Sequence, residues 1–165
     1  MELRRRRLSA RKVFVSLYVL AFAVYLVIGL QPAEATQYEV AAELDIPSIN
    51  LTVDVTRLSL NENKLDTPDT IVGSYSRTEN KTLLIGHSST VFDNLKNVKL
   101  KDQVNYDGQS YRVVGIHKME KAEVKMDDLL QRADKDTLVI MTCAGQLLDG
   151  GDATHRLVLT AVVNE

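Results

Sequence analysis

A single cysteine, Cys143, is all the thiol chemistry this sequence holds. One thiol cannot bridge within its own chain, so a structural disulfide is excluded. What remain are a reactive thiol, a bridge to another molecule, or a buried bystander. Internal repeats are absent, and the only low-complexity tract is an arginine run at residues 4–7, which excludes an array of repeated units. With 165 residues there is enough chain for one domain with a real core and too little for two.

Basic residues are also scarce once the N-terminus is passed. Arg4, Arg5, Arg6, Arg7, Arg11 and Lys12 crowd the first 30 residues against one acid, Glu2. That leaves 14 of the 20 basic and 21 of the 22 acidic residues to the rest, a net of −7. Phosphate-backbone binding needs clustered Lys and Arg, so nucleic acid is not an expected partner. Residues 13–30 are apolar except for Ser16, and at about 1.5 Å per residue they just reach across ~30 Å of hydrocarbon. The preceding charges place the N-terminus in the cytoplasm and export the acidic body. A cleavable signal peptide is the rival reading, with Ala33-Glu34-Ala35 as its small-x-small site. The expected organisation is therefore a cytoplasmic basic segment at 1–12, a transmembrane anchor at 13–30, a stalk at 31–41 and an exported domain at 42–165.

Within the domain most of the pattern has period two. Leu44, Ile46, Ile49, Leu51, Val53 and Val55 alternate with polar residues around Pro47-Ser48, as a broken strand does. Residues 82–85 read as a short buried strand. Residues 103–106 and 111–116 flank Asp107-Gly108, which suits a tight hairpin turn. Residues 137–141 form an apolar run ending at Thr142-Cys143, and 157–163 form a closing strand. Helical signals are fewer. Residues 91–98 place Phe92, Leu95 and Val98 at steps of three, and 124–133 place Met126, Leu129, Leu130 and Ala133 at helical spacing. Many short strands and one or two short helices predict a mainly β, closed or nearly closed barrel. A doubly wound α/β fold would need a helix between most strands, and the gaps are too short.

Three side chains then stand out: His87 after one apolar strand, Cys143 after another, Arg156 before a third. A thiol attacks as thiolate, and an imidazole can exchange its proton. A guanidinium can stabilise the resulting oxyanion. Singly, each has an ordinary explanation: a packed thiol, a turn histidine, a solvated arginine. His117 and His155 compete for the histidine's role, and His155 would face away from its neighbour Arg156 on an extended strand.

The flanking residues favour the trio. Leu83-Leu84-Ile85-Gly86-His87-Ser88-Ser89 resembles the segment around the essential histidine of sortases. Residues 137–143, Thr-Leu-Val-Ile-Met-Thr-Cys, are similar to that family's strand into its nucleophile, and Arg156-Leu157-Val158-Leu159 to its closing strand. Leu44-Asp45-Ile46-Pro47-Ser48-Ile49 and Gly108-Gln109-Ser110-Tyr111-Arg112-Val113 match upstream pieces in the same order. The resemblance covers roughly residues 42–163 and is class D/E-like, with the subclass open.

The resemblance implies an eight-stranded barrel outside a bacterial cell membrane and a cysteine transpeptidase activity. Such an enzyme cuts a Leu-Pro-x-Thr-Gly (LPXTG-like) sorting signal between Thr and Gly through a thioester. The acyl group then passes to an amine of a cell-wall precursor or of a pilin lysine. It makes Cys143 the nucleophile, His87 the acid/base, Arg156 the substrate clamp and oxyanion stabiliser, and Thr142 a substrate contact. It implies no cofactor; calcium, used in one branch, would have to call on Asp149 or Asp152, and solvated loop acids are the simpler reading of both. Leu100-Lys101-Asp102 departs from the common Gly-Asp, the loop from Cys143 to Arg156 is short and rich in Gly and Asp, and no N-terminal lid is expected. Two alternatives stay open. One is another exported cysteine acyl-transferase of the L,D-transpeptidase type, although His87 lies far from Cys143 in sequence for that motif. The other is a silent β-barrel that binds a peptide.

Overall fold

Alternation of apolar and polar residues produces strands wherever one face meets the core. The computed structural model describes residues 38–59, 67, 69–148 and 152–164. Strand β1 (Val40–Ile46) turns through a 3₁₀ turn at Pro47–Ile49 into β2 (Leu51–Arg57), with which it pairs antiparallel. Proline at the start of that turn and Asn50 at φ 51° close it. β3 (Val72–Thr78) runs parallel to β2 and antiparallel to β4 (Lys81–Ile85). β5 (Gln103–Tyr106) and β6 (Gln109–Glu120) form the expected hairpin, and its turn has positive φ at both Asp107 (50°) and Gly108 (74°). After β6 come a 3₁₀ turn at Lys121–Glu123 and one short helix, α1 (Met126–Leu130). β7 (Thr137–Leu147) lies parallel to β4, and β8 (Ala153–Val163) pairs with both β7 and β6.

The order β1-β2-β3-β4-β7-β8-β6-β5 closes on itself through β1 and β5, giving the expected closed barrel of eight strands. Leu44, Ile46, Val55, Leu84, Phe92, Leu138, Ile140 and Leu159 fill its interior. The alternate residues of the central strands, Leu83 on β4, Val139 and Met141 on β7 and Val158 on β8, form a second apolar cluster on the outer face, and Leu130 of α1 covers it. Both faces of β7 are thus buried, which explains its unbroken apolar run.

Several elements differ from expectation. Residues 91–98 are turns with a 3₁₀ turn at Leu95–Asn97 rather than an α-helix. Phe92, Leu95 and Val98 are all buried, and steps of three are the period of the tighter helix. The helix expected over 124–133 is only five residues long and has no side-chain cap; at that length packing rather than propensity holds it. β3 carried no apolar alternation: it buries Gly73 beneath Leu58, and Ser74, whose hydroxyl donates to the Thr56 carbonyl at 3.0 Å. Strands β7 and β8 both run beyond their expected ends, so Cys143 and Arg156 lie within a ladder rather than next to one. Backbone pairing continues there without a continuous apolar run, so an apolar pattern does not mark it.

Residues 38–165 form one compact unit, and β1 begins at Val40. The basic segment at 1–12, the anchor at 13–30, residues 31–37 of the stalk and the Ala33–Ala35 site lie outside the described residues. Among the described residues no helix is long and apolar enough to cross a membrane.

Candidate active site

The ladder β4-β7-β8 brings the three sequence candidates to one level. Ile85 of β4 is in register with Met141 of β7. Two residues further along these parallel strands stand His87 and Cys143. Cys143 in turn is directly opposite Arg156 on β8. Opposed residues of an antiparallel pair share a face, and Cys143 shares its face with Met141 and Val139, the outer one. The continuation of β4 is tied to β7 by Gly86 N–H donating to the Met141 carbonyl at 3.4 Å. The Thr142 hydroxyl donates back to the Gly86 carbonyl at 2.7 Å.

A cavity of about 600 Å³ opens on this face, and His87, Cys143, Thr142 and Arg156 all line it. Ile85, Met141, Met126 and Leu130 give it an apolar floor and wall. Arg77 of β3 donates to the Asp127 carboxylate of α1 at 2.6 Å, bridging two sides of the cavity. That pairing raises the already high pKa of Arg77.

The three candidates are held very differently. Cys143 is a half-buried free thiol. His87 is 41% exposed at its side chain; its Nε2–H donates to the Thr67 carbonyl at 3.1 Å. Because a carbonyl only accepts, this bond places the hydrogen of a neutral ring on Nε2 and leaves Nδ1 able to take a proton. Asp69 lies 3.5 Å from Nε2 but is 88% exposed, so solvent screens most of that attraction. The His87 carbonyl accepts from Phe92 N–H at 3.0 Å and Thr90 N–H at 3.3 Å, which shapes the loop after β4.

Arg156 is only 15% exposed at its side chain. Its Nη1 donates to the carbonyls of Ala153 (3.0 Å) and His155 (2.9 Å), and its Nη2 to Asp152 Oδ1 at 2.8 Å. Asp152 also accepts from Lys121 Nζ and from Ala153 N–H. Hydrogen bonds from Lys121, then Arg156, then the Ala153 amide hold its carboxyl well below the usual range. Asp152 is therefore a hydrogen-bonded, ion-paired acid and not the simply solvated loop acid expected from sequence; its oxygens are engaged by three donors. Asp149 lies outside the described residues.

The competing histidines stand apart. His117 is exposed on β6, and His155 pairs through Nδ1 with the Thr154 hydroxyl at 2.8 Å; neither lines the cavity. Thr142 lines the cavity but is buried, and its hydroxyl is engaged by the Gly86 carbonyl. Sequence reasoning named Asp152 only as a loop acid, not as a partner of Arg156, and missed Lys121, Arg77 and Asp127. The spacing of Met126, Leu129 and Leu130 signalled the helix, but nothing in it signalled a cavity wall. Among the described residues no group of three or more His, Cys, Asp or Glu could hold a metal ion.

A family model described as a sortase domain matches residues 44–164. No curated protein sequence matches the chain. Solved structures do. A lid mutant of sortase A from Corynebacterium diphtheriae is 22% identical with a TM-score of 0.58, over 80% of this chain and 74% of that one. A sortase D5 transpeptidase from Clostridium perfringens is 21% identical with a TM-score of 0.58, over 78% and 83%. Clostridium perfringens sortase C, solved with its C-terminal cell wall sorting motif, is 19% identical with a TM-score of 0.57, over 80% and 74%.

Proposed function

The chain belongs to the sortase family, and from that membership we propose that it is a cysteine transpeptidase acting on a C-terminal sorting signal. The observation that carries this reading is the convergence of His87, Cys143 and Arg156 on one cavity with an apolar wall. Proton transfer from the Cys143 thiol to His87 gives a thiolate, which attacks the threonine carbonyl of an LPXTG-like peptide. The C=O electrons move onto oxygen, and the Arg156 guanidinium stabilises the oxyanion with donors that are charged at any working pH. Collapse breaks the Thr–Gly bond, and the imidazolium returns its proton to the leaving amine. An incoming amine, from a cell-wall precursor or a pilin lysine, then attacks the thioester with His87 as base, and the C–S bond breaks to release the Cys143 thiolate. In this account Thr142 acts beneath the site by holding the strand end that bears His87.

The same proposal assigns residues 13–30 as a single-pass anchor with the N-terminus cytoplasmic and the domain outside the cell membrane. To test the activity, the full chain in detergent is incubated with an LPXTG-like peptide library and an amine. Amine-dependent transfer that disappears in Cys143→Ala is expected. Transfer that persists in Cys143→Ala would exclude the mechanism, and no transfer by the wild type with any library member would favour a silent peptide-binding barrel.

A further inference from the structure

A long arginine side chain is useful as an oxyanion donor only if one edge of its planar fork is aimed, because a free arginine samples many rotamers. In Arg156 both Nη1 hydrogens are taken by the carbonyls of Ala153 and His155, and one Nη2 hydrogen by Asp152. Among the described residues nothing accepts from Nε. The Nε–H and one Nη2–H are therefore without an acceptor among the described residues, on an arginine that lines the cavity. The two carbonyls belong to the strand that bears Arg156 itself. Asp152 adds what they do not, a charge anchored from elsewhere. Its Oδ1 accepts from Arg156 and Ala153 N–H, and its Oδ2 is bridged to Lys121, in the 3₁₀ turn that follows β6. The carboxylate thus ties the arginine to the segment that continues into α1 and the cavity wall.

We propose that Asp152 is the positioning residue of Arg156, fixing which guanidinium edge faces the cavity, with Lys121 as the strut that fixes Asp152. Its catalytic consequence rests on the transpeptidase reading; the positioning itself does not. The two are therefore tested by separate measurements on the full chain in detergent.

The first is proton NMR of the Arg156 guanidinium, assigned by its loss in Arg156→Lys. Separate Nη1 and Nη2 proton signals are expected in the wild type, collapsing to averaged signals in Asp152→Asn. Signals unchanged by Asp152→Asn overturn the proposal whether or not the protein is active. The second is transpeptidation. Asp152→Ala is expected to lower kcat about 10- to 100-fold, as small misplacements of a catalytic group do, with KM changed less. Asp152→Glu should recover part of the loss, and Lys121→Met should cost only roughly two- to fivefold, since its ammonium is half exposed. Added to Arg156→Lys, Asp152→Ala should cost nothing further, because the two act as one unit. Full additivity in that background, or a matching loss in the rate of Cys143 alkylation by iodoacetamide, would show that Asp152 acts otherwise than through Arg156. If the wild type transfers no peptide while the NMR signals respond as stated, the transpeptidase reading fails and the positioning role stands.

Discussion

Cys143 has two partners, and the protein treats them in opposite ways. Arg156 sits inside a ladder, mostly buried, with three hydrogen bonds from its guanidinium and a carboxylate that is itself braced. His87 sits on a loop beyond the end of β4, with one hydrogen bond to a carbonyl and a nearby but solvent-exposed acid. The difference suits the duties proposed for them. An oxyanion donor gains from being fixed before charge develops, because no reorganisation is then needed in the transition state. A residue that takes a proton from the thiol and later delivers it to a different amine must serve two positions, and a loop permits that.

The largest effect on this contrast should come from the less constrained side. Replacing His87 by Ala is expected to lower kcat/KM by about 10²- to 10⁴-fold, the usual worth of a general acid–base group. The check is a pH–rate profile that loses its central bell. Arg156→Lys keeps the charge and removes the planar fork, and should cost about 10²- to 10³-fold, mostly in kcat. A loss of only a few-fold would mean that the braced guanidinium does not need its shape.

Thr142→Val tests the tie beneath His87. It leaves the Gly86 carbonyl without its buried donor, and about 1–3 kcal/mol of unfolding free energy should be lost in urea titration. Activity should fall in parallel if the tie positions the histidine loop. Asp152 predicts an acid effect. Its folded pKa is depressed, so its stabilisation is complete above the ordinary carboxylate value of about 4 and fades as pH falls through the depressed value. The stability gap between wild type and Asp152→Asn should therefore narrow steadily in acid, as thermal melts across that range would show. Smallest of all should be Asp69→Asn. At 3.5 Å and 88% exposure, removing this charge should change activity by about twofold or less. A tenfold loss would make His87 a braced residue like Arg156 and erase the contrast.

What could be seen in the sequence follows which residues touch the core. Strands such as 137–141 and the Asp107-Gly108 hairpin announce themselves because apolar spacing and turn chemistry are local. β3 does not, because next to Val72 it buries Gly73 and the hydrogen-bonded Ser74 in place of an alternating aliphatic set. The far halves of β7 and β8 were hidden for a related reason, since pairing of Cys143 with Arg156 is a property of the backbone. The trio could be named from its flanking residues, but its convergence depended on registers across three strands. Asp152 was out of reach altogether. A loop acid four residues before an arginine signals nothing until its carboxylate meets Arg156 and Lys121 arrives from the 3₁₀ turn after β6.

The most direct measurement of the central claim is intact-mass and peptide-mapping analysis of the chain quenched in acid during turnover of an LPXTG-like peptide. The account predicts an added mass equal to the peptide up to its threonine, located on Cys143, labile to hydroxylamine and discharged by an added amine. An acyl adduct on any other residue, or turnover with Cys143 unmodified at every time sampled, would contradict it.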